Sequence, residues 1–474
     1  MRLQAKRRLA VKKKRVFGKA VVRTKARAKR AYKGGKVHGY NLGYNRGYDA
    51  AFDHGYRNGW DGGIASFSQP FQGTSIIIVT TNDQRIHLLN CIESIYEHTP
   101  EPFELIIIDN ASTDDTAQYV QSLTGKIRYR IFKNNLGFAG GTNQGLRLAR
   151  GNTLLFLNND TIVTKNWLTN MLACLHSNEK FGLVGPMTNY ISGEQLLPTH
   201  YQSTEEMHSF AQAFNISDPA KWQTTGRLTG FCVLMKRDMF ERLGFLDEGF
   251  EIGNCEDDDY GYRARMMGHE LVIAKDTFIH HVGSVSIKAL GERFEEVYSK
   301  NLDFYSRKWG DSHSLLRDVQ QKMSGGGYAA MKDFYPTRLV VRGVSPTLYW
   351  IEDGTRRPIV GDAQLPTTRI SQVDLRSWTM GSPIAAQEVL NKLTVLSHGL
   401  TGHEALPEGM MVIDHGGTVY QIHGGKLCRF VNDWPRSYWK LSQRHQVPIS
   451  DELKACYEQG LPIIAPAVIV ADNV

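Results

Sequence analysis

The chain contains no apolar run approaching the roughly 20 residues that a membrane-spanning helix needs, so no transmembrane segment is expected. Its first residues lack the apolar core of a secretory signal. Their lysine clusters and scarcity of serine also argue against a mitochondrial presequence. The six cysteines stand far apart, without the CxxC spacing of a zinc or redox site, and they fit a reducing, cytoplasmic compartment. No Ser/His/Asp or reactive-Cys pattern suggests an enzyme nucleophile. Acidic residues are missing altogether from residues 1–36, which hold 16 of the 56 Lys and Arg. The remainder carries 40 basic against 48 acidic residues, so the net charge of +8 describes a basic arm on an acidic body.

A length of 474 residues predicts two or three domains. The arm, residues 1–36, reads as disordered. Its charge can contact an anionic surface (nucleic acid, lipid or an acidic polymer), or it is a solvated tail. Nucleic acid is the weakest of these, given the acidic body and the lack of a recognition motif. In residues 37–72, Tyr40, Tyr44, Tyr48, Phe52, Tyr56 and Trp60 recur every four residues, each preceded by Gly or Ala. Small residues four apart let two helices approach closely, while each glycine costs a lone helix roughly 1 kcal/mol. This segment is expected to order by self-association (a homo-oligomer through residues 39–60) or by docking, or else to be a sticky linker.

Residues 73–322 carry the chemistry. Three apolar runs end in polar residues: Ser75–Val79 at Thr80-Thr81-Asn82, Leu105–Ile108 at Asp109-Asn110, and Leu154–Leu157 at Asn158-Asn159-Asp160. Buried strands that deliver polar groups at their C-terminal ends predict an open α/β sheet with a ligand crevice along that edge. Helices are expected over Ile86–His98, after Ser112–Asp115, and over Gln144–Arg150. The glycine-rich Asn134–Asn143 reads as a turn that lets backbone approach a phosphate. Asp160 is either a hard-cation ligand or a helix cap. In Glu256-Asp257-Asp258-Asp259, crowded acids predict one raised pKa suited to a general base. The same acids also suit a helix start, with Asp259 turned toward backbone or Arg. His280-His281 closes the series as a structural pair or as metal ligands.

In this order the motifs resemble the family 2 glycosyltransferases, with the GT-A nucleotide-diphospho-sugar transferase fold and its mainly parallel sheet. The match is nearest to the rhamnosyltransferase-like branch and covers about residues 74–310. It rests on Ser75–Asn82, Asp109–Asp114, Asn135–Asn143, Asn158–Asp160, Gly230–Val233, Glu256–Asp259 and His280–Ser284. The resemblance implies inverting transfer from a nucleotide sugar to a hydroxyl of a glycan or protein-linked glycan. Thr80, Asn82, Asp109 and Asn110 would hold base and ribose, with Asn135, Gly140, Asn143 and Asn159 nearby. Asp160 with His281 or His280 would bind Mn²⁺ or Mg²⁺, and Asp257, then Glu256, would be the base. Asn158 replaces the first acid of the family's DxD motif, leaving fewer charged ligands. Asn110 stands where many relatives have a second aspartate, a change similar to deoxythymidine-diphosphate sugar users, and the donor the resemblance implies is a dTDP- or UDP-sugar.

After a linker at 323–334, residues 335–474 shift to β-rich sequence with an internal duplication. Thr347, Tyr349, Ile351 and Gly354 match Thr418, Tyr420, Ile422 and Gly425 at an offset of 71. Ser371, Gly381, Pro383 and Ile384 match Ser450, Gly460, Pro462 and Ile463 at an offset of 79. Each copy reads as a β-hairpin, a short helix and a Gly-x-Pro-Ile turn. Tyr349, Trp350 and Tyr420 either stack on sugars or form a small core. The expected protein is a cytoplasmic sugar transferase, associated with a membrane surface or a large assembly. The alternative is a non-catalytic assembly protein on a degenerate transferase core.

Overall fold

The computed structural model describes residues 71–82, 85–125, 127–283, 291, 293–398 and 406–473. The basic arm and the period-four segment lie outside the described residues. Strands β1 (Phe71–Thr80), β2 (Phe103–Asp109), β3 (Ile127–Ile131) and β4 (Gly151–Asn158) pair in parallel in the order β3-β2-β1-β4. The sheet continues through β8 (Cys232–Lys236), β6 (Phe181–Thr188) and β9 (Glu270–His281) to β5 (Thr161–Ile162), and β7 (Trp222–Thr225) joins β9. β6 and β9 are parallel, whereas β8 runs antiparallel to both its neighbours. This is the expected α/β sheet with mostly parallel strands.

The apolar runs are continuous because both sheet faces are covered. Ile76, Ile78, Leu105 and Ile107 point to one face, under α1 (Arg85–His98), α2 (Thr116–Ser122) and α4 (Trp167–Ser177). Ile77, Ile106 and Ile108 point to the other, under α3 (Gly137–Leu148), α6 (Arg237–Leu243) and α7 (Glu256–Met266). The second helix starts at Thr116, directly after Ser112–Asp115 as expected. The third starts at Gly137, well before Gln144, so most of the glycine-rich segment is helix. Its glycines serve close packing on β1: a Cβ on Gly145 would lie 2.2 Å from Ile77 Cγ2, and one on Gly141 2.8 Å from Val79 Cγ1. Helix α5 (Thr204–Phe214) packs beside β9, and α8 (Arg293–Trp309) and α9 (Ser312–Lys322) complete the region.

A buried charge network ties this second layer together. Asp259 on α7 accepts from Arg263 Nε at 2.8 Å, Lys308 Nζ at 2.5 Å and Trp309 Nε1 at 2.9 Å. Lys308 also reaches Asp247 at 2.7 Å, and Arg263 donates to the carbonyls of Leu243 and Phe245. None of the four charged residues is more than 2% exposed. Burial pushes the Asp259 pKa up, but Lys308 and Arg263 outweigh it and hold the carboxyl below its ordinary range.

The duplication is matched strand for strand. In the first copy β10 (Leu339–Arg342), β11 (Leu348–Glu352) and β12 (Thr355–Val360) form a meander, and β13 (Thr367–Arg369) adds in parallel to β10 before α10 (Gln372–Ser377). In the second, β16 (Met411–Ile413), β17 (Val419–His423) and β18 (Lys426–Arg429) do the same, with β19 (Gln446–Pro448) on β16 before α13 (Asp451–Ala455). Ser371 and Ser450 both cap their helices by accepting a backbone N–H. Arg356 pairs with Met380 as Leu427 does with Gln459, and Ile359 with Ile384 as Phe430 does with Ile463, keeping both offsets. The first copy adds β14 (Thr379–Met380), β15 (Ile384–Ala385) and α11 (Ala386–His398). The second carries α12 (Asp433–Tyr438) in its insertion. Tyr349, Trp350 and Tyr420 are all buried, which resolves them as core. One apolar cluster runs from the sheet through Trp309, Met331 and Phe334 into Leu339, Trp378, Met411 and Ile463.

Replacing Lys308 with Met leaves two buried carboxylates of which only Asp259 keeps an ion pair, with Arg263. The expected loss is about 3–5 kcal/mol, read from chemical denaturation at neutral pH.

Candidate active site

Pairing register sets the strand ends level. Thr80 lies opposite Asp109, and Val79 opposite Asn158. Cys232 of antiparallel β8 lies opposite Leu157, which brings Thr229–Phe231 to the same edge, and β9 ends there with His281 opposite Thr161. A pocket with about 1070 Å³ of empty space, open to solvent, forms along this edge. Thr80, Asn110, Asn135, Asn159, Asp160, His281, Glu256 and Asp257 all line it.

Asp160 and His281 form its most informative pair. His281 Nδ1 lies 2.8 Å from the Tyr190 carbonyl, an acceptor, so this nitrogen carries a proton. Nε2 lies 3.1 Å from Asp160 Oδ1. A neutral ring would turn a lone pair toward that carboxylate, so a second proton or a cation belongs between them. Asn189 grips the His281 backbone N–H and C=O, and Phe231 stacks on the ring at 5.5 Å, so the imidazole is held in place. Asp160 does not cap a helix: it leads into β5, and α4 begins only at Trp167. Among the described residues no group of three or more His, Cys, Asp or Glu converges on one point.

His280 does not belong to this pair. Side chains alternate along a strand, so it faces away from His281 and its Nδ1 meets the Tyr201 hydroxyl at 2.6 Å.

Other expected contacts resolve into scaffolding. Asn143 is fully buried, accepting from Leu246 N and donating to Leu246 O and Glu248 Oε1, each at 2.9 Å. Gly140 lies inside α3, where a Cβ would meet Leu136 Cβ at 2.9 Å. Only Asn135, Gly137 and Phe138 of the glycine-rich segment reach the pocket. Asn82 lies outside the lining and bonds Thr113. Asn110 lines the pocket, but its amide is used in shaping the turn, donating to Asn135 Oδ1 and Gly137 O and accepting from Leu136 N. Asp109 sits below the edge. Its Oδ1 accepts from Ser112 N at 3.1 Å, and its buried Oδ2 has no hydrogen-bond partner among the described residues.

The acid pair opens α7. Burial first, then the charge of Asp257, raises the Glu256 pKa well above its usual value, and its Oε2 is buried without a hydrogen bond among the described residues. Half-buried Asp257 accepts from Gly230 N at 2.8 Å and Asp258 N at 2.9 Å. Burial and then Asp258 push it from the usual 3.8 up to about 6. Asp258 itself is paired with Arg227 at 2.5 Å.

Ahead of this pair stands a wall not anticipated from sequence. Ile252, Gly253 and Asn254 line the pocket as an arch in which Ile252 (φ +59°), Asn254 (+83°) and Cys255 (+72°) are left-handed. Such residues cost about 1–3 kcal/mol each and persist only where surroundings hold them. Apart from the glycine and asparagine, nothing in the local sequence marks it.

Along one edge the α/β sheet thus gathers an Asp–His pair and two raised carboxyls around one pocket. Residues 75–244 match the family model described as Glycosyl transferase family 2. The chain is 26% identical over 233 residues to polypeptide N-acetylgalactosaminyltransferase 11 of Xenopus tropicalis, covering 44% of this chain and 38% of that one. It is 24% identical over 241 residues to the low-salt glycan biosynthesis hexosyltransferase Agl10 of Haloferax volcanii, covering 49% and 73%. The chain spans about two fifths of the length of several curated relatives it matches. Among solved structures, GalNAc-T7 with UDP, GalNAc and Mn²⁺ aligns with a TM-score of 0.39 at 15% identity, covering 56% of this chain and 53% of that one. The mannosyltransferase PcManGT from Pyrobaculum calidifontis, in complex with GDP-Man and Mn²⁺, aligns at 0.38 and 16%, covering 61% and 88%.

A carboxyl raised from 3.8 to about 6 binds its proton more tightly in the folded chain, so its contribution to stability falls as pH rises through that window. Asp257→Asn should therefore gain on the parent in Tm as pH rises from about 4 to 7, as measured by thermal melts across pH.

Proposed function

We propose that the protein transfers a sugar from a nucleoside-diphosphate donor, dTDP- or UDP-linked, to a hydroxyl of a glycan or protein-linked glycan, with inversion. The observation that carries this reading is the convergence of Asp160, His281, Glu256 and Asp257 on one pocket beside Thr80 and Asn110. Asp160 and His281 would hold a divalent cation, Mn²⁺ or Mg²⁺, and the contact between their acceptor atoms fits one. When bound, such an ion neutralises charge on the diphosphate. Asp257 takes the proton of the acceptor hydroxyl as the acceptor oxygen bonds to the sugar's anomeric carbon and the nucleoside diphosphate departs. Its pKa of about 6 leaves it mostly ionised at neutral pH yet basic enough to assist. Glu256, raised well above the usual carboxyl range by burial and by the charge of Asp257, stands beside it. Residues 73–322 would form the catalytic unit and 335–474 an accessory module for binding or assembly.

Calorimetric titration of UDP, dTDP and GDP, with and without Mn²⁺, tests the donor site. One nucleotide should bind in a metal-dependent way, and Asp160→Ala or His281→Ala should weaken it by about tenfold or more. His280→Ala should leave it unchanged. Asp257→Asn should retain binding while turnover falls by about 10²–10⁴. Failure of all three nucleotides to bind under either condition would favour the non-catalytic assembly protein.

A further inference from the structure

The arch before the acid pair is held from behind by one side chain. Asn301 on α8 is 1% exposed. Its Oδ1 accepts from Glu251 N at 2.9 Å, and its Nδ2 lies 3.0 Å from each of the carbonyls of Glu251, Gly253 and Asn254. The remaining carbonyl, that of Ile252, accepts from Phe138 N at 2.6 Å, where α3 begins. Every carbonyl from 251 to 254 is thus engaged. The arch joins the two helix starts that border the pocket, with Phe138 on one side and Glu256 and Asp257 on the other. A primary amide suits this position, because it accepts once and donates to carbonyls, whereas a carboxylate would repel them.

We infer that Asn301 is a positioning residue for sugar transfer. By pinning the left-handed arch, it fixes where α7 starts and so where Asp257 and Glu256 stand in the pocket. This rests on the transferase reading above. Among the described residues the side-chain hydrogen bonds of Asn301 go to the backbone of Glu251, Gly253 and Asn254 and none to Thr80, Asn110 or Asp160, so its loss should act on turnover more than on donor binding. Ile252 is the costliest of the left-handed positions because it is β-branched, and glycine would adopt the same φ freely. Relieving that strain should reduce the need for the clamp.

The test compares the full-length parent with Asn301→Ala, Ile252→Gly and the double variant. Nucleoside diphosphate release is followed from UDP-, dTDP- and GDP-sugars, with water or added glycan as acceptor. Asn301→Ala should lower kcat by about tenfold or more while donor KM stays within about threefold. In the Ile252→Gly background the same change should cost at least about threefold less. Hydrogen exchange should show faster exchange of the 251–259 amides in Asn301→Ala, with the β1–β4 amides unchanged. Asn301→Ser, which keeps one donor, replaces Asn301→Ala if the latter does not fold, with a smaller effect expected. An unchanged kcat, a parallel loss of donor affinity, no coupling to Ile252 or undisturbed exchange at 251–259 would each overturn the inference. If the parent itself releases no nucleoside diphosphate, the transferase reading falls and the positioning role falls with it. The exchange data still decide separately whether Asn301 pins the arch.

Discussion

The four buried charges of Asp247, Asp259, Arg263 and Lys308 are the constraint on which the site depends. Withdrawing ions from water is expensive, and such a group survives only when each charge meets an opposite one and its remaining valences find dipoles. Here Lys308 bridges both carboxylates, while Arg263 divides its donors between Asp259 and two backbone carbonyls. These bonds join α7, the Leu243–Asp247 loop and the end of α8, so the start of α7 cannot drift independently of its neighbours. Two kinds of chemistry then share one stretch of helix. Asp259 lies against two cations and remains ionised. Glu256 and Asp257, three and two residues earlier, have only partial compensation for burial and are raised. Neighbouring carboxyls acquire opposite roles because a helix turns them to different surroundings.

The pocket has a second constraint in the way its far wall is tethered. Glu248 accepts from Asn143 with one oxygen and from Val470 N and Ala471 N with the other. Gln144 and Arg147 on α3 bond Asn473. The segment 468–473 is therefore strapped across α3, whose first turn borders the pocket, and the loop leading to the arch. Distant parts of the chain meet at one edge of the site.

The strands and their polar ends were legible because buried parallel strands produce long apolar runs, and Thr80, Asp109 and Asn158 mark where those runs stop. Asp160 was legible for the same reason, since charge next to an apolar run has few uses, and the acid cluster was legible because four adjacent carboxyls crowd one another. His280 and His281 were not separable by composition, since only strand alternation decides which one faces the crevice. Asn143 looked like a ligand contact because its role lies in a bond to Leu246, more than a hundred residues away. The glycines of α3 looked like a flexible turn because their partners, Ile77 and Val79, lie on another element. Asn301 and the arch left almost no trace, because strain belongs to backbone angles and not to residue type. The repeat was visible by its offsets alone, and the pairing of its strands preserves them.

That repeat has a further consequence. A duplicated module appended on a tether could be lost or exchanged without harm to its host. This one has given its apolar faces to the host's interior, where Phe334, Trp378 and Ile463 continue the cluster beneath α6 and α7. Once two such units share an interior, neither is an interchangeable part. Substitutions in one then select for compensation in the other, and the two halves of the chain are bound to evolve as a single inheritance.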